Sequence, residues 1–561
     1  MKCLQESNCE VSIFFKFKSK HVKMTTFSTL DWVVLGGYFF ILLAIAYWVT
    51  RQKNDTTEDY FLAGKNIGWF VIGASIFASN IGSEHVVGLA GTGAESGMPM
   101  AHYELHAWIV LLLGWLFLPF YMRSGAFTMP EFLEKRFDSR SRWFLSIFSI
   151  FGYVLTKVSV TIYAGGIVVS QLLNIPFLYG AIGIVILTGA YTVLGGMRAV
   201  VYTETFQTVI LIVGSLIIMI LGLQAVGGFA ELKATVGSEH FNMWRPSSDK
   251  EYPWTGMVFG GAIVGIWYWC TDQYIVQRTL AAHNIQIGRR GAIFGAYLKI
   301  LPIFIFLLPG IIAYGLKQKG LLEYDRSDEV FPALVQSLLP SGLKGLVAGG
   351  LMAALMSSLA SVFNSASTLF TVDIFKKLNP NTPEKRLVNI GKFATGIIVV
   401  LGMLWIPIMQ KIGGGVLYNY LQSVQSYIAP PITCVFLLGI LWKRINAQGA
   451  IATLFFGLLM GTLRIIAELT IQEGGSGFMY NFATINFAHM AIFMFLACSV
   501  VCVVVSLLTS PPSEAQIAGL TFGTLTAEQK AEARSSYSKA DLIVSVVLVI
   551  VIISILSYFV G

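Results

Sequence analysis

Charge is scarce in this sequence. Only 12% of its 561 residues are Asp, Glu, Lys or Arg, against 55% hydrophobic ones, which excludes an ordinary soluble domain. Cysteine is sparse as well. None of the six stands in a Cys-x-x-Cys pair, so neither a disulfide framework nor a zinc site is indicated; Cys270, Cys434, Cys498 and Cys502 lie inside apolar runs. No P-loop or dinucleotide fingerprint is present, which removes the signs of an ATP-driven machine. The stretch His102-Tyr103-Glu104-Leu105-His106 has the wrong order for a His-Glu-x-x-His zinc protease, and its place near a membrane boundary suggests an interfacial, solvated role for both histidines. No Ser-His-Asp arrangement can be argued, so an enzyme is not expected. The first 23 residues, MKCLQESNCEVSIFFKFKSKHVK, lack the apolar core of a signal peptide. Residues 1–28 read as a disordered extension, with Met24 a candidate second initiator. The longest later polar stretch, 509–539, is too short for a core of its own.

What fills the chain is apolar runs of about 20 residues, the length that crosses a ~30 Å hydrocarbon core. Fourteen candidate spans follow: about 30–50, 66–90, 103–122, 143–172, 177–194, 204–226, 255–281, 290–315, 341–372, 389–410, 416–440, 448–470, 486–508 and 540–560. The fold class is therefore an all-α polytopic membrane protein, with residues 29–561 forming its membrane domain. Basic residues collect in the odd-numbered loops, as at Arg136, Arg140, Arg289, Arg290, Lys376 and Lys377. The positive-inside rule then puts those loops in the cytoplasm and both termini outside a cell membrane. The net charge of +8 reflects this asymmetry, and the bilayer rather than a nucleic acid is the expected partner.

Ionisable residues inside the spans are few: Glu84, His85, Glu104, Lys157, Glu204, Asp272 and Lys299. Charge at bilayer depth is costly and faces a bundle interior or an aqueous cavity. Helix–helix struts are the alternative, evenly matched for Lys157 and Asp272, whereas Glu84, His85 and Glu104 crowd beside Asn80 as a site. Two segments look broken, one around Ser79-Asn80-Ile81-Gly82-Ser83-Glu84-His85 and one where Gly260, Gly261 and Gly265 precede Trp267-Tyr268-Trp269. Glycine-interrupted spans in corresponding positions of two halves point to a transporter with inverted repeats, here about 66–226 and 255–440. Its energy then comes from a gradient, or the solute moves downhill. A third cluster, Ser357, Ser358 and Ser361, suits close helix packing but also offers the hard oxygens an alkali cation needs.

Six motifs carry a family resemblance: TEDYFLAG from Thr57, GSEHVVGLAGTGAESG from Gly82, GGMRAVVYTETFQT from Gly195, WYWCTDQYIVQR from Trp267, SSLASVFNSASTLFTVD from Ser357, and SYIAPPITCVFLLGILWKR from Ser426. Between about Leu30 and Lys443 the chain resembles the sodium:solute symporter family, and within it the sodium/glucose cotransporter branch. The resemblance implies a LeuT-like five-plus-five inverted repeat with about fourteen transmembrane helices. It implies a sodium site from Ala78, Ile81, Ala354, Ser357 and Ser358, and a sugar pocket from Asn80, His85, Glu104, Tyr268, Trp269, Lys299 and Gln422. Leu89 and Tyr418 resemble outer-gate positions. Two departures appear: where some members bind a second sodium with a hydroxyl and an aspartate, this chain has Ala360 and Glu204. The expected activity is Na⁺-coupled import of a hexose such as glucose or galactose. A polyol or sugar-acid symporter and a non-concentrating sodium-dependent sugar sensor are the alternatives.

Overall fold

Helices make up the computed structural model of the protein, which describes residues 27–51, 55–412, 417–470 and 475–560; among these no β-strand forms. Residues 1–26 of the expected extension lie outside the described residues. The long elements are α1 (Thr29–Thr50), α2 (Trp69–Asn80), α3 (Ser83–Ser96), α4 (Ala101–Ser124), α5 (Ser139–Leu173) and α6 (Phe177–Val226). They continue as α7 (Gly256–Thr271), α8 (Gln273–Leu280), α9 (Ile285–Gln318), α10 (Leu343–Leu378) and α11 (Glu384–Ile412), and end with α12 (Leu417–Leu441), α13 (Ala447–Thr470), α14 (Phe487–Leu508) and α15 (Lys539–Tyr558).

Helix starts follow the local chemistry. Ser28 caps α1 by accepting from the Asp31 amide while the Asp31 carboxylate accepts from the Ser28 amide, and Ser538 with Asp541 repeats this reciprocal cap on α15. Each arrangement satisfies amides that a helix start leaves without an intrahelical partner.

Eleven of these helices are long and apolar enough to cross a membrane, twelve if the bent pair α2 and α3 counts as one. The expected fourteen differ for two reasons. The expected spans 177–194 and 204–226 fall within one element, α6, whose 50 residues would reach about 75 Å as a straight rod. That is too long for one crossing, and Gly196 divides it with φ +57°. Only glycine suits that turn, because a Cβ there would strike the Tyr60 carbonyl. The expected span 255–281 is split into α7 and α8, neither of span length by itself.

Burial sorts the centre from the lipid face. In α10, 94% of the apolar window is buried, against 28% in α1 and 22% in α15. The small residues of α10 let α2, α3 and α6 close around it. The candidate polar cluster at Ser357 thus lies on the innermost helix.

A candidate solute and ion site between two broken helices

The first break is local and built by Glu84. Helix α2 ends at Asn80, Ile81 and Gly82 are extended, and α3 leaves at 61° to α2. In the first turn of α3, where the helix dipole favours negative charge, the Glu84 carboxylate folds back over Gly82 so closely that a Cβ there would overlap it. Glu84 accepts from Lys157 Nζ at 2.7 Å and from Thr161 Oγ1 at 3.1 Å, both on α5. The second break comes at Asp272, where a wide helical turn at Trp267–Thr271 gives way to α8. Asp272 accepts from the Tyr274 amide and from the Tyr153 hydroxyl. Side chains leaving both breaks meet in one interior space.

That space is a cavity lined by Asn80, His85, Lys157, Tyr268, Trp269, Lys299 and Gln422, among others. Six of the seven expected sugar-pocket residues therefore share its wall. Glu104, the seventh, stands behind it and accepts from Lys299 Nζ at 2.5 Å. Asn80 Nδ2 donates to the Tyr268 hydroxyl at 3.0 Å and stands 3.3 Å from His85 Nε2. Asn80 Oδ1 is buried with no hydrogen-bond partner among the described residues, an acceptor facing a polar space. Two ammonium groups lie over aromatic rings, Lys157 5.8 Å from those of Tyr268 and Tyr274, and Lys299 5.4 Å from Trp269. Each is held by a buried carboxylate, so the wall is rich in hydrogen-bonding groups without net charge from these pairs.

The open volume is only about 30 Å³, the share of one liquid water, whereas ligand pockets run to roughly 300–1,000 Å³. A ring-sized molecule is larger than this space. A second cavity of about 30 Å³ shares Lys157, Tyr268 and Gln425 with the first and continues past Phe148, Tyr153 and Asp272. Tyr268 is part of the partition between them. Leu89 is fully buried on α3 and does not line the cavity. The Tyr418 side chain lies outside the described residues.

The oxygen cluster on α10 also assembles. Ser357 Oγ lies 2.9 Å from both the Ala78 and Ala354 carbonyls, and Ser358 Oγ donates to the Ser79 carbonyl at 3.1 Å. Ile81 stands at the break, and its amide donates to the Phe77 carbonyl. Hydroxyls and carbonyls beside unwound backbone fit an alkali cation, so the residues present suit sodium.

One turn further along α10, Ser361 and the Glu204 carboxylate of α6, both conspicuous in the sequence, meet partners that the sequence does not disclose. Glu204 Oε1 meets Arg278 Nη2 at 3.0 Å, and the hydroxyls of Ser75 and Ser361 donate to the same carboxylate. Arg278 also donates to the Tyr274 carbonyl and to Ser361. Nothing within WYWCTDQYIVQR announces the role of Arg278, because its side-chain partners Glu204 and Ser361 come from two distant helices, α6 and α10. Both histidines depart from the interfacial, solvated role expected of them. His106 is buried in the cavity wall, and His102 is buried against the Met243 carbonyl at 3.1 Å; the loop at 238–243 covers this end of α4 and removes the solvent expected there.

Comparisons with known proteins agree with this geometry. The profile of the sodium:solute symporter family matches residues 60–457. Sodium/myo-inositol cotransporter 2 of Bos taurus is 40% identical over 88% of this chain and 79% of its own length. Sodium/glucose cotransporter 1 of Oryctolagus cuniculus is 39% identical over 86% and 79%, and sodium/glucose cotransporter 4 of Mus musculus 38% over 88% and 78%. The solved structure of a Na⁺-coupled sialic acid symporter superposes with a TM-score of 0.76 at 24% identity, covering 87% of this chain and 99% of that one. The fold is accordingly the LeuT-like five-plus-five inverted repeat. A broken-helix fold around a buried polar cavity, matched by this family profile and these relatives, makes the chain a member of the sodium:solute symporter family, a multi-pass, sodium-coupled solute transporter.

Proposed function

We propose that the transported solute is an uncharged, polyhydroxylated ring, a hexose such as glucose or galactose, imported with Na⁺ by alternating access. The observation that carries this reading is the pair of buried ammonium–carboxylate contacts at the cavity, Lys157–Glu84 and Lys299–Glu104. Each lysine already has its counter-ion, so a sugar acid would bring its carboxylate to a wall with no spare positive charge. A neutral ring instead finds matched donors and acceptors in Asn80, His85, Lys299 and Gln422, with Glu104 holding Lys299 in place behind the wall. Tyr268 and Trp269 offer aromatic faces to its C–H side. A cyclitol such as inositol is the second reading, favoured by the myo-inositol cotransporters among the relatives.

In this reading sodium binds among Ala78, Ile81, Ala354, Ser357 and Ser358 and joins the end of α2 to α10. Solute then closes the outer path under Leu89 and Tyr418. Tyr268 swings aside afterwards and releases solute through the second cavity. The repeats span about 66–226 and 255–440, residues 1–28 form an extension outside the membrane domain, and both termini face the outside of a cell membrane.

The test is uptake of labelled glucose into proteoliposomes with and without an inward sodium gradient, competed by galactose, myo-inositol and glucuronate. Concentrative, sodium-dependent uptake blocked by galactose supports the hexose reading. Block by myo-inositol alone moves the assignment to a cyclitol, block by glucuronate overturns the charge argument, and binding without accumulation identifies a sensor.

A further inference from the structure

A second hollow lies away from the transport cavity, on the outer face of the bundle. It is a groove of about 360 Å³ between the starts of α2, α9 and α15. One wall is flat and aromatic. Phe294 of α9 stacks on Phe70 at 5.2 Å and meets Trp69 edge-on at 5.6 Å, and Trp69 and Phe70 are 45% and 47% exposed. The facing wall is α15, where Val544 is 40% exposed and its carbonyl accepts from the Tyr297 hydroxyl at 2.7 Å. One end is polar: Arg290 Nε donates to Asp541 Oδ1 at 2.8 Å and Nη2 to Oδ2 at 3.4 Å.

These features describe a ligand. The mutual neutralisation of Arg290 and Asp541 disfavours an anionic headgroup, yet three of the five guanidinium N–H groups remain for a neutral oxygen. Below this polar end Phe294 and Tyr297 continue the wall along α9, over about 10 Å from Arg290. A rigid body with a hydroxyl at one end and a flat ring system below it matches this order. The spacing Arg290-x₃-Phe294-x₃-Leu298 also has the basic–aromatic–aliphatic form proposed for sterol contact, a weak pattern alone whose first two members line this groove.

We propose that this groove holds a membrane sterol, its hydroxyl at Arg290 and Asp541 and its rings against Phe294 and Trp69. The bound sterol braces the start of α2. Helix α2 is already pressed onto α9 at Gly73, where a Cβ would stand 2.8 Å from the Gly291 carbonyl, and its other end carries the Ala78 and Ser79 carbonyls. The same rod therefore links the groove to the α10 oxygen cluster.

The experiment uses the full chain reconstituted in phosphatidylcholine vesicles with a photoreactive diazirine cholesterol. Label is expected on the α9 segment around Phe294 and on α15 around Val544, competed by cholesterol and reduced to background in Val544→Trp, which fills the groove from the lipid side. Phe294→Leu, which keeps apolarity but removes the ring face, supplies a second variant should Val544→Trp fail to fold. Adding cholesterol is expected to shift half-saturating sodium about fivefold in the wild type and to leave it unchanged in a variant that no longer labels. Label spread over the whole lipid face, label unaffected in both variants, or competition by phosphatidylcholine instead of cholesterol overturns the proposal; the last identifies a phospholipid groove.

Discussion

Two oxygen clusters sit one helical turn apart on α10, and they are opposites. Around Ser357 and Ser358 every oxygen is neutral, and three are carbonyls from the broken end of α2 or from α10 itself. Around Ser361 the oxygens belong to hydroxyls and to the Glu204 carboxylate, and the guanidinium of Arg278 is already among them. The first cluster brings no cationic side chain among its hydrogen-bond partners. The second comes with a cation that cannot leave. Burial of the Glu204 carboxylate demands a counter-charge, and the protein supplies one of its own in Arg278. Under the proposed sodium assignment, neutral oxygens on unwound backbone leave the positive charge to the ion.

The largest effect is expected from breaking the second cluster. Arg278→Met strands the Glu204 charge in a fully buried setting, which costs about 3–5 kcal/mol of stability. The double variant Arg278→Met with Glu204→Gln should recover most of that loss, since removing both charges of a buried pair is often near neutral. Thermal unfolding in detergent measures both. A stabilisation by sodium that appears only in Arg278→Met would sharpen the comparison, because sodium would then be taking the vacated place; no loss of stability in Arg278→Met would break it.

The next effect lies at the first cluster. Ser358→Ala removes a hydroxyl facing the Ser79 carbonyl and should raise half-saturating sodium by roughly 10- to 150-fold, as loss of a polar contact to a charged group does at about 1.5–3 kcal/mol. Sodium titration of solute uptake reads this directly, and an unchanged titration removes Ser358 from the site. Gln422→Ala should be milder. It takes a donor and an acceptor from the cavity wall and should weaken solute affinity by roughly 5- to 30-fold, about 1–2 kcal/mol, with the sodium titration moving less. Equal shifts in both titrations would mean that Gln422 holds the helices rather than the solute.

How much of this was legible in the sequence depends on distance along the chain. The break at Asn80–Gly82 could be read because its causes, a glycine and the Glu84 carboxylate, are neighbours. Ser357 and Ser358 drew notice because paired hydroxyls in an apolar run are conspicuous. The roles of Lys157 and Arg278 could not be read, since Glu84 is 73 residues from the first and Glu204 is 74 from the second, and only the fold joins them. The same limit applies to His102, whose burial against the Met243 carbonyl joins residues 141 apart. Local chemistry is written locally; pairing of buried charges is not.

The smallest effect is expected where the second cluster is given what it lacks. Ala360 has no side-chain oxygen, and Ala360→Ser supplies one beside Ser361. If a missing hydroxyl were the reason for a single sodium, this change would create a second site. Arg278 argues otherwise: Glu204 remains satisfied by a fixed guanidinium, so an added hydroxyl brings dipole without uncompensated charge. We expect one charge per solute in the wild type and one in Ala360→Ser. The measurement is the reversal potential in proteoliposomes at several fixed sodium and solute gradients. At −100 mV one sodium brings about 2.3 kcal/mol, and a tenfold sodium gradient adds ~1.4 kcal/mol. Together they limit accumulation to roughly 500-fold, against roughly 250,000-fold for two. The two ratios therefore separate well before either limit is reached. Two charges in the wild type would mean that Arg278 withdraws during the cycle and yields Glu204 to a second ion. Two charges in Ala360→Ser alone would mean that the hydroxyl, rather than the guanidinium, decides the count.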